Sequence, residues 1–122
     1  MVAKTTFINT HPFHAIYFGG GTPSALRHEN LLRLLKVIQK HLPLANDCEI
    51  TLEGRVYHFS DDKVFACIEG GVNRFSIGVQ SFDTHVRRKM GRIETGEKVA
   101  ERLKYIVGLD QTAMVIDLIY GL

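Results

Sequence analysis

Ala15-Ile16-Tyr17-Phe18-Gly19-Gly20-Gly21-Thr22-Pro23-Ser24 is an apolar run that breaks abruptly into three glycines and a Thr-Pro. It reads as a buried strand running into a loop of bared backbone. Glycines have no Cβ, so such a loop can turn through positive φ and bring its N–H and C=O groups against a ligand. Thr22 adds a hydroxyl and Pro23 fixes the exit. A tight strand-to-helix turn with no ligand has the same signature. A phosphate loop does not, because no Gly-Lys-Ser/Thr follows and the spacing is not G-x-G-x-x-G.

Upstream, Thr5 to Phe13 is mixed and contains Pro12, which reads as a loop; Pro12 also spoils the His11/His14 pair as a helical metal site. Downstream, Glu29 to Leu42 places Leu31, Leu34, Leu35, Ile38 and Leu42 on one helical face, and Pro43 stops it. Asn46 and Asp47 read as turn residues before a strictly alternating strand, Glu49 to Glu53, that ends in Gly54. Ser60-Asp61-Asp62 opens a second helix with Val64, Phe65 and Ile68 as its buried stripe, and Gly70-Gly71 closes it. A third strand follows over Arg74 to Ser81. Asp83 caps a short helix with Val86 and Met90 on one side. The next helix, Gly96 to Val107, turns Val99, Leu103, Ile106 and Val107 inward, and Met114 to Tyr120 forms the last strand.

Strands alternate with helices, and every connection is long enough to be a crossover, which predicts a parallel α/β sheet. In a (β/α) barrel the outward face of each strand packs on helices, while the other face carries the site at the strands' C-terminal ends. With Ile16 and Phe18, Ile50 and Leu52, Phe75, Ile77 and Val79, and Ile116, Leu118 and Tyr120 outward, the glycine loop, Glu53, Gln80 and Asp117 converge on one rim. Singly, Glu53 is an ordinary solvated strand end and Gln80 says little. Asp117 lies between apolar neighbours, where an unpaired buried carboxylate is costly. Their shared phase points to a polar small molecule bearing an amine and hydroxyls.

Composition fits one modest domain: 122 residues, 45% hydrophobic, 23% charged, formal net charge +2. The basic residues are dispersed apart from Arg87-Arg88-Lys89, which gives no nucleic-acid footprint. No apolar run approaches the roughly 20 residues that span a bilayer, and no signal peptide is evident, so a cytoplasmic setting is expected. Cys48 and Cys67 form no C-x-x-C or related spacing and read as small buried hydrophobes.

Four ordered stretches, Gly19-Gly20-Gly21-Thr22-Pro23, Ile50-Thr51-Leu52-Glu53, Gly71 to Phe82 and Ile116 to Leu122, resemble successive motifs of one family. These are the radical S-adenosylmethionine enzymes related to oxygen-independent coproporphyrinogen III oxidase. The resemblance implies a partial TIM-type (β/α) barrel, with four parallel β/α units here. Residues 1–14 would then be a loop or truncated lead-in and 15–122 a partial core domain. It further implies that Gly20, Gly21, Thr22, Glu53, Gln80, Arg92 and Asp117 contact S-adenosylmethionine. Its full-length members carry a [4Fe-4S] cluster, take haem or porphyrin substrates, and draw electrons from a donor such as flavodoxin or ferredoxin.

Two departures refine the expectation. After Glu53 the chain continues Gly54-Arg55-Val56-Tyr57-His58-Phe59, which is similar to the haem-utilisation branch, acting in anaerobic haem degradation by radical methyl transfer. The oxidase branch instead decarboxylates propionates in haem synthesis. Tyr57 and His58 read as a solvated loop, with a substrate-facing role as the alternative. The family's C-x-x-x-C-x-x-C cluster motif is absent from these residues. The chain therefore reads as an internal fragment, inactive alone, or as a non-catalytic adenosylmethionine- or haem-binding remnant. A free-standing flavodoxin-like fold is disfavoured by the lack of an early phosphate loop.

Overall fold

A computed structural model describes residues 11–20 and 23–120. The elements run β1 (Phe13–Phe18), α1 (His28–His41), β2 (Leu44–Arg55), α2 (Asp61–Glu69), β3 (Arg74–Gln80), α3 (Thr84–Lys89), α4 (Gly96–Gly108) and β4 (Ala113–Leu118). Short 3₁₀ turns at Pro23–Ala25 and Val56–His58 follow the first two strands. The four strands lie in the order β1-β2-β3-β4, every pair parallel. The predicted α/β class and parallel sheet are therefore present.

Helix starts obey the local chemistry. Ser60 Oγ accepts the Lys63 N–H at 3.5 Å, Asp83 Oδ1 accepts the Val86 N–H at 2.9 Å, and Thr95 Oγ1 accepts the Lys98 N–H at 3.2 Å. One core joins Leu31 and Leu35 of α1, Ile50 and Leu52 of β2, Val64 and Cys67 of α2, Phe75, Ile77 and Val79 of β3, and Val99, Leu103 and Ile106 of α4. Each fully buried aliphatic or aromatic side chain there contributes about 1.5–3 kcal/mol. The other face of the sheet is polar: the Arg74 guanidinium lies 3.4 Å from Thr51 Oγ1 and 3.5 Å from the Glu49 carboxylate.

Several expectations are corrected. β2 begins at Leu44, and Asn46 and Asp47 are strand residues. The partner of Phe13 is Leu44 while that of Ala15 is Glu49, so the extra β2 residues bulge out, and the turn-forming types sit in the bulge. β1 likewise starts at Phe13, held by its N–H to the Pro43 carbonyl at 2.9 Å. Phe65 and Val107 point to solvent, 48% and 52% exposed; Ala66 and Cys67 take the inner face of α2. Ile116, Leu118 and Tyr120 are exposed, because β4 pairs only with β3 and no described helix covers its apolar side. Asp117 is exposed too, so the reading of it as a buried carboxylate does not hold.

Candidate functional site

At the C-terminal rim the strand ends form a cleft of about 270 Å³, lined by Gly20, Ser24, Glu53, Gly54, Arg55, His58, Gly78, Gln80, Arg92 and Asp117. Five predicted site residues, Gly20, Glu53, Gln80, Arg92 and Asp117, thus share one cavity, drawn from all four strand ends and the α3–α4 loop. Gly21 and Thr22 lie outside the described residues.

Close backbone approach explains the glycines. The Gly20 N–H, at φ +77°, donates to Glu53 Oε1 at 3.3 Å and orients that carboxylate. A Cβ on Gly19 would run into the same carboxylate and the Tyr17 ring. A Cβ on Gly54 would meet the Ser24 side chain at 2.6 Å.

Gln80 is set by strain. Its φ is +73°, the Ser81 N–H donates back to the Val79 carbonyl at 2.9 Å, and the β3–β4 register slips between Gly78 and Gln80. This is a three-residue turn in its rarer positive-φ form. Backbone held in such regions costs on the order of 1–3 kcal/mol and needs outside support.

The support is Arg87. Only 1% exposed, its guanidinium donates to the Val79 carbonyl at 2.6 Å, the Ser81 carbonyl at 3.1 Å and the Glu94 carbonyl at 2.9 Å, and meets the Glu94 carboxylate at 3.2 Å. The Arg87 carbonyl in turn accepts the Arg92 N–H at 2.8 Å. One residue therefore fixes both turns, its buried guanidinium holding the chain on either side of Gln80 and its backbone carbonyl holding Arg92. The sequence hid it inside the basic run Arg87-Arg88-Lys89.

A second missed feature is the Ser24–His58 pair, Oγ to Nδ1 at 2.9 Å, with Ser24 2% exposed and its carbonyl accepting from Lys63 Nζ at 2.5 Å. Burial, and then the charges of Lys63 and Arg55, hold His58 below the usual imidazole pKa. Burial, with Arg55 and Arg87 nearby, also lowers Arg92, which stays a cation at neutral pH. The cleft thus sets two carboxylates, two guanidiniums, an amide, a neutral imidazole and bare backbone around one cavity.

A family model described as "Radical SAM superfamily" matches residues 4–122. The chain belongs to that superfamily. This radical SAM chain is 46% identical over 122 residues to "Anaerobilin synthase" of Escherichia coli O157:H7, covering 100% of the chain and 27% of that protein. It is 38% identical over 107 residues to "Heme chaperone HemW" of Escherichia coli strain K12, covering 88% of the chain and 28% of that protein. The solved structure described as "Coproporphyrinogen III oxidase (HemN) from Escherichia coli is a Radical SAM enzyme" superposes with a TM-score of 0.79 at 32% identity. That match covers 89% of the chain and 25% of the solved one. The radical SAM chain thus spans about a quarter of the length of these relatives.

The superfamily's iron–sulfur cluster does not fit the residues present. Cys48 on β2 and Cys67 on α2 are both buried, and burial pushes both thiols up, Cys67 to about 12. Neither is a thiolate at neutral pH, and among the described residues no group of three or more His, Cys, Asp or Glu is placed to hold a metal. Also among the described residues, no helix is long and apolar enough to cross a membrane.

Proposed function

We propose that the rim cleft is an S-adenosylmethionine site, and that the chain is the adenosylmethionine-binding portion of a cytoplasmic radical SAM enzyme that degrades haem anaerobically by radical methyl transfer. The observation carrying this is the identity of 46% over every residue of the chain with "Anaerobilin synthase". The cleft chemistry agrees. Adenosylmethionine presents an ammonium, a carboxylate, a ribose diol and a sulfonium. Glu53 and Asp117 are acceptors for the ammonium and hydroxyls, Arg92 pairs with the carboxylate, and Gln80 and the Gly20 backbone complete the cradle. When bound, adenosylmethionine supplies the methyl and radical chemistry of the superfamily. A flavodoxin- or ferredoxin-type donor supplies electrons, and cluster ligation falls to residues other than these 122. The 32% identity with the coproporphyrinogen oxidase structure favours a second reading, propionate decarboxylation.

Isothermal titration of the 122-residue chain with adenosylmethionine tests the site. Glu53→Ala and Asp117→Ala should each weaken binding about 10- to 100-fold, as loss of a charge-assisted hydrogen bond does, with circular dichroism unchanged. Absence of binding by the parent chain, or equal affinity in both variants, overturns the assignment.

A further inference from the structure

Three clefts meet at the segment Arg55 to His58. The rim cleft contains Arg55 and His58, a neighbouring cleft of about 360 Å³ is lined by Ala25, Tyr57, His58, Ser60 and Lys63, and a third of about 300 Å³ contains Arg55, Tyr57 and Ile93. His58 is the wall shared by the first two. Tyr57 and Ile93 are 73% and 86% exposed, apolar surface spent on solvent beside two cations, Arg55 and Lys63. Concave surface, a bared aromatic ring and flanking cations together match a flat, apolar ligand with anionic arms.

The imidazole is prepared for a metal. A ligating histidine uses one ring nitrogen and has the other fixed by a hydrogen bond, which sets tautomer and orientation. Ser24 Oγ is that partner at Nδ1, and Ser24 is itself pinned through its carbonyl by Lys63. Ser24 Oγ can accept the Nδ1 proton, and in that tautomer the lone pair sits on Nε2, which has no hydrogen-bond partner among the described residues.

We infer that His58 is an axial iron ligand for a haem seated across Arg55, Tyr57 and Lys63, with the macrocycle at the mouth of the rim cleft. The inference rests on the haem reading above and deepens it. Arg55 and Lys63 pair with the propionates, the Tyr57 ring lies against the porphyrin, and Ser24 is a positioning residue acting through His58. The contact is a dative bond from Nε2 to iron that displaces water, with no change of oxidation state.

The test titrates the 122-residue chain with ferric haem and, separately, with metal-free protoporphyrin, following absorbance and fluorescence. The wild-type chain should give the sharpened, red-shifted Soret band of imidazole-ligated haem. His58→Gln, which keeps a hydrogen-bonding side chain beside Ser24, should lose that spectrum, and His58→Ala should lose it and regain it on adding free imidazole. Protoporphyrin should bind wild type and both variants alike. Ser24→Ala should keep the spectral type with haem affinity about 10-fold weaker. A His58→Gln spectrum identical to wild type overturns the inference while leaving haem binding intact. Failure of wild type to bind either compound overturns the haem reading and the inference together.

Discussion

Arg87 shows how much a single side chain can settle. Its guanidinium satisfies three carbonyls and a carboxylate around the strained Gln80 turn, so its loss leaves buried acceptors bare. Arg87→Leu should therefore lower stability by about 3–5 kcal/mol in a urea titration. Glu94→Gln, which keeps a neutral acceptor, should cost about 1 kcal/mol. Arg87→Lys should not rescue, since an ammonium cannot reproduce the planar fork. Sequence reasoning missed Arg87 because burial of a cation has no periodic signature. His58 offers a second test. Its pKa lies below the usual 6.5 in the fold, so as pH falls the unfolded chain takes up the proton first. Its contribution is full above about pH 6.5 and fades below it. The thermal midpoint should drop from pH 7 to pH 5, and His58→Gln should flatten part of that slope.

Among the elements, β3 was the most legible, because Phe75, Ile77 and Val79, alternating with small or polar residues, are all buried as that phase requires, Ser76 alone of the other phase being buried with them. The same phase rule, applied at each strand end, found the rim cleft. It failed at the start of β2, where Asn46 and Asp47 obey turn chemistry and are absorbed by a bulge that only pairing with β1 creates. It also said nothing of Ser24 and His58, which meet only when two successive 3₁₀ turns pack together. Asn73, just before β3, does the work of a strand residue on β2. Its Oδ1 accepts the Ile50 N–H at 2.8 Å, and its Nδ2 donates to the Cys48 carbonyl at 3.0 Å. Asn73→Ala should thus cost about 1–2 kcal/mol. Because the contact lies at the opposite rim from the cleft, adenosylmethionine affinity of the folded fraction should be unchanged.

The whole molecule is an open parallel sheet whose edge strands, β1 and β4, each have a single described partner. Open edges template further pairing, and β4 adds exposed Ile116, Leu118, Ile119 and Tyr120 beside its edge. The isolated 122-residue chain should self-associate with rising concentration in sedimentation velocity, and Leu118→Lys should shift it toward monomer. A concentration-independent monomer would contradict this. The same edge bears on the cleft. Asp117 is the contribution of β4, a ribbon tethered on one side and scarcely covered. Fraying of β4 withdraws that carboxylate while the other three strand ends stay in place, so apparent affinity scales with the fraction of time the ribbon is docked. A ligand gripping Asp117 would work as a clasp, and the amides of the last strand would exchange with solvent more slowly once it was bound.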